Sequence, residues 1–171
     1  MNNFIKAIKQ SLSNKNYYSA LFISLSVPDI CGKLEDPERK VGDRYIKWFE
    51  KYMSDYKGFL SGQDCYNLRC SLFHEGSDRL DNAKIKDTLE HFIFLNDGPH
   101  LNLFEGNIIN GKKETFLQLN VEKFCKDISN GLEVWTSDMN TKKDVLERIE
   151  GLIRIHEKGY VHKGAIKFGG Q

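Results

Sequence analysis

The chain has 171 residues and carries 25 Lys and Arg against 24 Asp and Glu, a net charge of +1 at pH 7. That length fits one domain of ordinary size, and 40% hydrophobic with 12% aromatic residues is enough apolar material to fold rather than stay disordered. The near-neutral balance excludes the strongly basic footprint of most free-standing DNA-binding domains, and 14 Gly with 3 Pro exclude a collagenous or low-complexity chain.

Charge is uneven along the chain. Residues 1–60 carry 10 basic and 7 acidic side chains, 61–140 carry 8 and 13, and 141–171 carry 7 and 4, so the segments hold +3, −5 and +3. No run approaches the ~18 apolar residues of a membrane span. The longest, Tyr17 to Val27, is broken by Ser19, Ser24 and Ser26. With only Lys15 beside it and no small-x-small site after it, it does not read as a signal peptide. The four cysteines (Cys31, Cys65, Cys70 and Cys125) do not suggest a disulfide framework at this size. A reduced, cytoplasmic protein that does not engage a membrane is expected.

Taken in order, Asn2–Ser13 shows Phe4, Ile5, Ile8 and Leu12 at helical spacing. Asn14 and Asn16 mark a turn. Tyr17–Val27 is predicted as a core helix, interrupted at Pro28 by a kink or a tight restart capped by Ser26. Asp29 then reads first as a helix-start charge and second as a buried carboxylate. Glu35–Lys40, with Pro37 and five charges, reads as a surface loop. Val41–Tyr56 places Tyr45, Trp48, Phe49, Tyr52 and Met53 on one stripe, an amphipathic helix ended by Lys57-Gly58. Ser61–His74 opens with Ser61-x-x-Asp64, a capping-box pattern, and closes at Gly76, a favourable C-terminal stop.

The texture then changes. Lys84–Leu95 fits helix or strand, with Phe92 to Leu95 leaning to strand. Asn102–Ile109 and Glu114–Asn120 flank Asn110-Gly111, a strong hairpin signal. A small antiparallel sheet of two or three strands is predicted. Val121–Trp135 returns to helical period. Thr141 with Asp144 opens a last helix that runs to near Gly159, with Val145, Ile149, Leu152 and Ile153 on its apolar face. The tail from Tyr160 to Gln171 reads as loosely held. Trp48, Trp135, Cys65 and Cys125 fit core positions, and Phe92 to Leu95 fits burial better than an exposed sheet edge. The fold class is mainly α (α+β), a bundle of five or six helices with a β-hairpin around residues 90–120.

One segment carries chemistry. On a helical wheel of Ser61–His74, Leu68, Leu72, Cys65, Phe73 and Tyr66 form the buried arc, and Arg69 falls in its middle. Asn67, Ser71, Asp64 and His74 lie on the polar side. A guanidinium aimed at apolar surroundings cannot shed its charge and must be paired. Its partner is a carboxylate (Asp29, Asp43 and Glu50 are placed for it), backbone carbonyls, a subunit interface or an anionic ligand. His74 reads either as a working imidazole or as a cation capping the helix C-terminus.

Arg69-Cys70-Ser71-Leu72-Phe73-His74 resembles the Arg-x4-6-His motif of the HEPN superfamily, the higher eukaryotes and prokaryotes nucleotide-binding domains. The resemblance covers about residues 1–80, with the final helices completing the bundle. It implies a four- or five-helix bundle, the region 84–120 as an insertion, and a homodimer whose two Arg/His pairs line one cleft. It further implies a metal-independent ribonuclease of toxin–antitoxin or defence type, with RNA and a cognate antitoxin or partner protein as partners and no cofactor. In that reading Arg69 binds and stabilises the phosphate, His74 moves the proton, and Asn67 and Ser71 contact phosphate or sugar. Where the family usually has Asn, Asp or His after the Arg, this chain has Cys70. The competing expectation is a non-catalytic interaction or nucleotide-binding module, favoured by Cys70 and the acidic middle segment.

No metal site is expected. Cys65 and Cys70 face apart on a helix, and His91, His100, His156 and His162 lack zinc spacing, with His156 and His162 read as solvated. No phosphate-binding glycine loop occurs; Asn110-Gly111-Lys112-Lys113 is a turn.

Overall fold

The computed structural model describes residues 1–76, 89–107, 113–156, 159–162 and 166–168. Among them run helices α1 (Asn2–Ser13), α2 (Tyr17–Glu35) and α3 (Val41–Tyr52), a 3-10 turn (Ser54–Tyr56) and α4 (Gly62–Glu75). Strands β1 (His91–Leu95), β2 (Asn102–Asn107) and β3 (Lys113–Asn120) follow. Then come α5 (Val121–Met139), α6 (Lys143–Glu150) and the short strands β4 (Tyr160–His162) and β5 (Ile166–Phe168). The protein is mainly helical with a small three-stranded sheet, as its patterning predicts.

The bundle is closed by the apolar stripes read from sequence. Ile8, Leu25, Tyr45, Trp48, Phe49, Leu68, Phe124, Ile128, Leu132 and Trp135 are all at most 2% exposed. Cys65 and Cys125 are buried among them, and burial pushes their thiols up to about 12 and about 11. They are core residues, not nucleophiles.

Several boundaries differ from the sequence reading. Helix α2 does not restart at Pro28; it runs through it for 19 residues. Ser26 is no cap, because its hydroxyl donates to the Ile23 carbonyl at 2.7 Å. Asp29 is therefore interior to a helix rather than at the start of one. Helix α3 ends at Tyr52, and the 3-10 turn covers the stretch up to Lys57. Helix α6 begins from Lys142 without a side-chain cap and ends at Gly151, not near Gly159. Asp144 bonds Arg148 at 2.6 Å instead of closing a capping box. Ile153, assigned to an apolar face, is 88% exposed beyond that end.

The sheet is mixed rather than antiparallel, in order β1-β3-β2. The predicted β2/β3 hairpin pairs antiparallel, Asn102 opposite Gln118 through Asn107 opposite Lys113. The Asn110-Gly111 turn itself lies outside the described residues. Strand β1 pairs parallel with β3, Phe92 opposite Leu117 and Phe94 opposite Leu119. That pairing is set by burial: Phe92, Leu117 and Leu119 point to one face and are at most 2% exposed. The sheet thus shares the bundle's core instead of standing off as a separate hairpin. Phe92 is buried as expected, while Leu95 is 41% exposed. Residues 84–88 of the ambiguous segment lie outside the described residues. So do parts of the tail, yet Tyr160–His162 and Ile166–Phe168 pair antiparallel, which the reading of a loose tail did not anticipate. The His162 side chain is outside the description; His156 is exposed.

No described helix is long and apolar enough to cross a membrane.

Candidate functional site

Helix α4 carries all four candidate residues, and its two ends are built differently. At its N-terminus Ser61 Oγ accepts the Asp64 amide at 3.0 Å, and Glu50 Oε1 accepts the Gly62 amide at 2.5 Å. The capping-box pattern is present, with the Asp64 carboxylate also turned back on the Ser61 backbone. The Asp64 carboxylate takes the Ser61 hydroxyl at 2.6 Å and the Leu89 amide at 3.3 Å. Asp64 thereby turns inward and is buried, against the wheel that put it on the polar side, and burial raises its pKa. At the other end Gly76 adopts φ +64°, and its amide reaches back to the Leu72 and Ser71 carbonyls. That left-handed stop suits glycine and ends the helix at Glu75, one residue after His74.

Arg69 leaves α4 toward α2. Its Nη2 donates to Asp29 Oδ2 at 2.7 Å. Asp29, four residues from Lys33 along α2, is thus the carboxylate partner, the second of its two sequence readings; neither Asp43 nor Glu50 has that role. A third residue joins them. Arg44 on α3 brings Nη2 to 3.6 Å from Asp29 Oδ1 and donates from Nη1 to the Arg39 carbonyl at 3.1 Å. Gly32 makes room for it, since a Cβ there would sit 2.9 Å from Arg44 Cγ. One carboxylate therefore faces two guanidiniums. The side chains are only 12–21% exposed, so solvent screens their charges weakly. The Nε atoms of Arg44 and Arg69 are buried without a partner among the described residues. Donors in that position are costly.

Arg69 also lies over the Phe73 ring, 5.0 Å from its centroid, and Phe73 packs against Phe22 of α2 at 5.0 Å. Phe73 and Phe22 are 38% and 36% exposed, so the wheel's buried arc ends before Phe73. His74 is exposed in the last turn of α4. Asn67 is half-buried and accepts from Gln63 Nε2 at 3.0 Å; Ser71 is half-buried one turn on. His74 is five positions on from Arg69, so they lie about 7.5 Å apart along the helix and about 140° apart around it. Asn67, Ser71 and His74 share one side of α4, and Arg69 points away from it toward Asp29.

Sequence reasoning missed Arg44. Its signal was a cation one residue before the apolar stripe that starts at Tyr45, opposite a glycine on the neighbouring helix. It also missed His100, which bonds Tyr56 and the Asn120 amide between sheet and bundle. No group of three or more metal-ligating side chains is found among the described residues. No family model matches the chain, and no curated protein or solved structure compared with it matches either.

Proposed function

We propose that this chain is a metal-independent endoribonuclease of HEPN type, acting as a homodimer in the cytoplasm in a toxin–antitoxin or phage-defence role. One observation carries the reading: among the described residues Asp29 faces both Arg44 and Arg69, so two guanidiniums share one carboxylate beside exposed Phe73 on the helix that ends in His74. A phosphate diester supplies the missing negative charge, and a guanidinium binds it with paired donors. Asp29 holds Arg69 in place without neutralising the seam.

The chemistry follows from the groups. His74 takes the proton of an RNA 2′-hydroxyl as that oxygen bonds to phosphorus. Arg69 stabilises the charge that grows on the phosphorane. The bond to the 5′-oxygen breaks, an imidazole returns a proton to it, and the products are a 2′,3′-cyclic phosphate and a 5′-hydroxyl. Asn67 and Ser71, on the His74 side of α4, contact sugar or phosphate. The rotation between Arg69 and His74 is the reason for a dimer: two copies of α4 face to face let one chain's Arg69 and the other's His74 meet one phosphate.

A second reading, a non-catalytic interaction module, is favoured by a separate observation. The Arg69–Asp29 bond already occupies one guanidinium nitrogen, and the exposed Phe22–Phe73 pair offers an apolar patch to a partner protein. The deciding experiment incubates purified protein with an RNA pool in EDTA and analyses product ends. New 2′,3′-cyclic phosphate termini support the nuclease; intact RNA across varied pools favours the module.

A further inference from the structure

A second polar centre lies where the sheet meets the bundle. Residues Asn96 to Leu101 connect β1 to β2, with Gly98 at φ +101° and Leu101 at φ +56°. This loop is tied to the strand beside it: Gln118 Nε2 donates to the Pro99 carbonyl at 3.1 Å, and Asn120 Nδ2 to the Asn96 carbonyl at 3.4 Å. The His100 side chain is 9% exposed. The ring meets Tyr56 of the 3-10 turn edge-on at 5.4 Å.

The bonds around His100 fit one arrangement of hydrogens. Nδ1 is 3.2 Å from the Asn120 amide nitrogen, which has only a hydrogen to offer, so Nδ1 accepts. The ring proton then sits on Nε2 and is donated to Tyr56 Oη at 2.9 Å. The Tyr56 hydroxyl in turn donates to Asp127 Oδ2 at 3.0 Å. Amide, imidazole, phenol and carboxylate form one directed chain, each member polarising the next.

A second proton on His100 has one place to go, Nδ1. There it meets the Asn120 N–H head-on. Asn120 is the hinge of this region: it closes β3, pairs with Leu95 of β1, and caps α5 by accepting the Lys123 amide at 2.9 Å. We propose that His100 is an acid-released latch: protonation at Nδ1 expels the Asn96–Leu101 loop from the β3–α5 junction and loosens the sheet's hold on the bundle.

The charged groups facing His100 are few. Asp127 of α5, 3.7 Å from Nε2, favours the imidazolium. Lys123, one turn earlier and 3.3 Å from Asp127, opposes it. Tyr56 stays neutral, because burial beside Asp127 pushes its phenol well up. Burial outweighs Asp127, and with Lys123 it holds the imidazole below its ordinary value of 6.5. The folded state thus binds a proton here less readily than the unfolded state. The latch contributes its full stability above pH 6.5 and loses it as pH falls through the lower folded value. This inference is independent of the nuclease reading.

The test uses the full chain and His100→Asn, whose amide oxygen can replace Nδ1 as acceptor for the Asn120 amide but does not titrate. Thermal midpoints and peptide-level hydrogen exchange are followed from pH 7.5 to 5.5, with exchange corrected for its intrinsic pH dependence. The wild type is expected to lose several degrees more than His100→Asn over that range, with several-fold faster exchange in residues 96–101 and 118–123 only in the wild type. Equal pH dependence in the two proteins overturns the latch. NMR titration of the His100 ring guards against an Asn variant that fails to fold: a midpoint below 6.5 accompanied by loss of Asn120 amide protection supports the proposal, and a midpoint at or above 6.5, or steady protection through the titration, overturns it.

Discussion

Two polar centres hold this protein's elements together, and they are built on opposite terms. Around Tyr56, donors and acceptors match: Asn120 gives to His100, His100 to Tyr56 and Tyr56 to Asp127. Between α2, α3 and α4 they do not. Asp29 answers Arg44 and Arg69 together, and two buried Nε donors are left without partners among the described residues. Two guanidiniums on one carboxylate in a weakly screened seam are costly unless further partners meet them. The matched centre is the one proposed as a pH-released latch, and the unmatched one is the one proposed to receive an anion.

Substitutions can break this contrast. The largest effect is expected at His74, where Ala should lower RNA cleavage by roughly 10²–10⁴-fold. Because the side chain is exposed, urea unfolding should move by no more than about 0.5 kcal/mol. Asp29→Asn comes next. It leaves two guanidiniums without a charge partner in a mostly buried seam and should cost about 2–4 kcal/mol. Added sulfate should recover part of that loss in a thermal melt, and no recovery would argue against an anion-accepting seam. Tyr56→Phe keeps the ring's packing on Phe49 and Phe124 but breaks the matched chain. About 1–3 kcal/mol should be lost there, with sulfate raising the melt no more than it does for the wild type. The smallest effect is expected at Ser61→Ala, about 1 kcal/mol from the lost cap of α4, with cleavage unchanged.

The sequence made the helices legible because an apolar stripe at period 3.6 is a local property. Ile8, Trp48, Phe49, Ile128 and Trp135 all lie where their spacing puts them. Of the two readings at Pro28 the restart fails, because the cost of a proline is local while the packing that carries α2 through it is not. The β2/β3 hairpin is read from adjacent residues, but the parallel β1–β3 pair joins strands separated by β2, and no local pattern encodes it. Strands as short as β4 and β5 carry too few residues for a period. The site was half legible. The wheel shows that Arg69 needs a partner and offers Asp29, but the convergence of Arg44 depends on how closely α3 approaches Gly32, which is a tertiary fact. Asp64 turned inward for the same kind of reason, since its second partner is the amide of Leu89, 25 residues away.

The most direct test of the central claim separates binding from cutting. RNA affinity and cleavage should be measured side by side for the wild type, Arg69→Ala and His74→Ala, with folding checked by circular dichroism. The unmatched seam predicts that folded Arg69→Ala loses affinity and cleavage together, whereas His74→Ala still binds RNA and no longer cuts it. Cleavage by His74→Ala at the wild-type rate, or unchanged RNA affinity in Arg69→Ala, would contradict it.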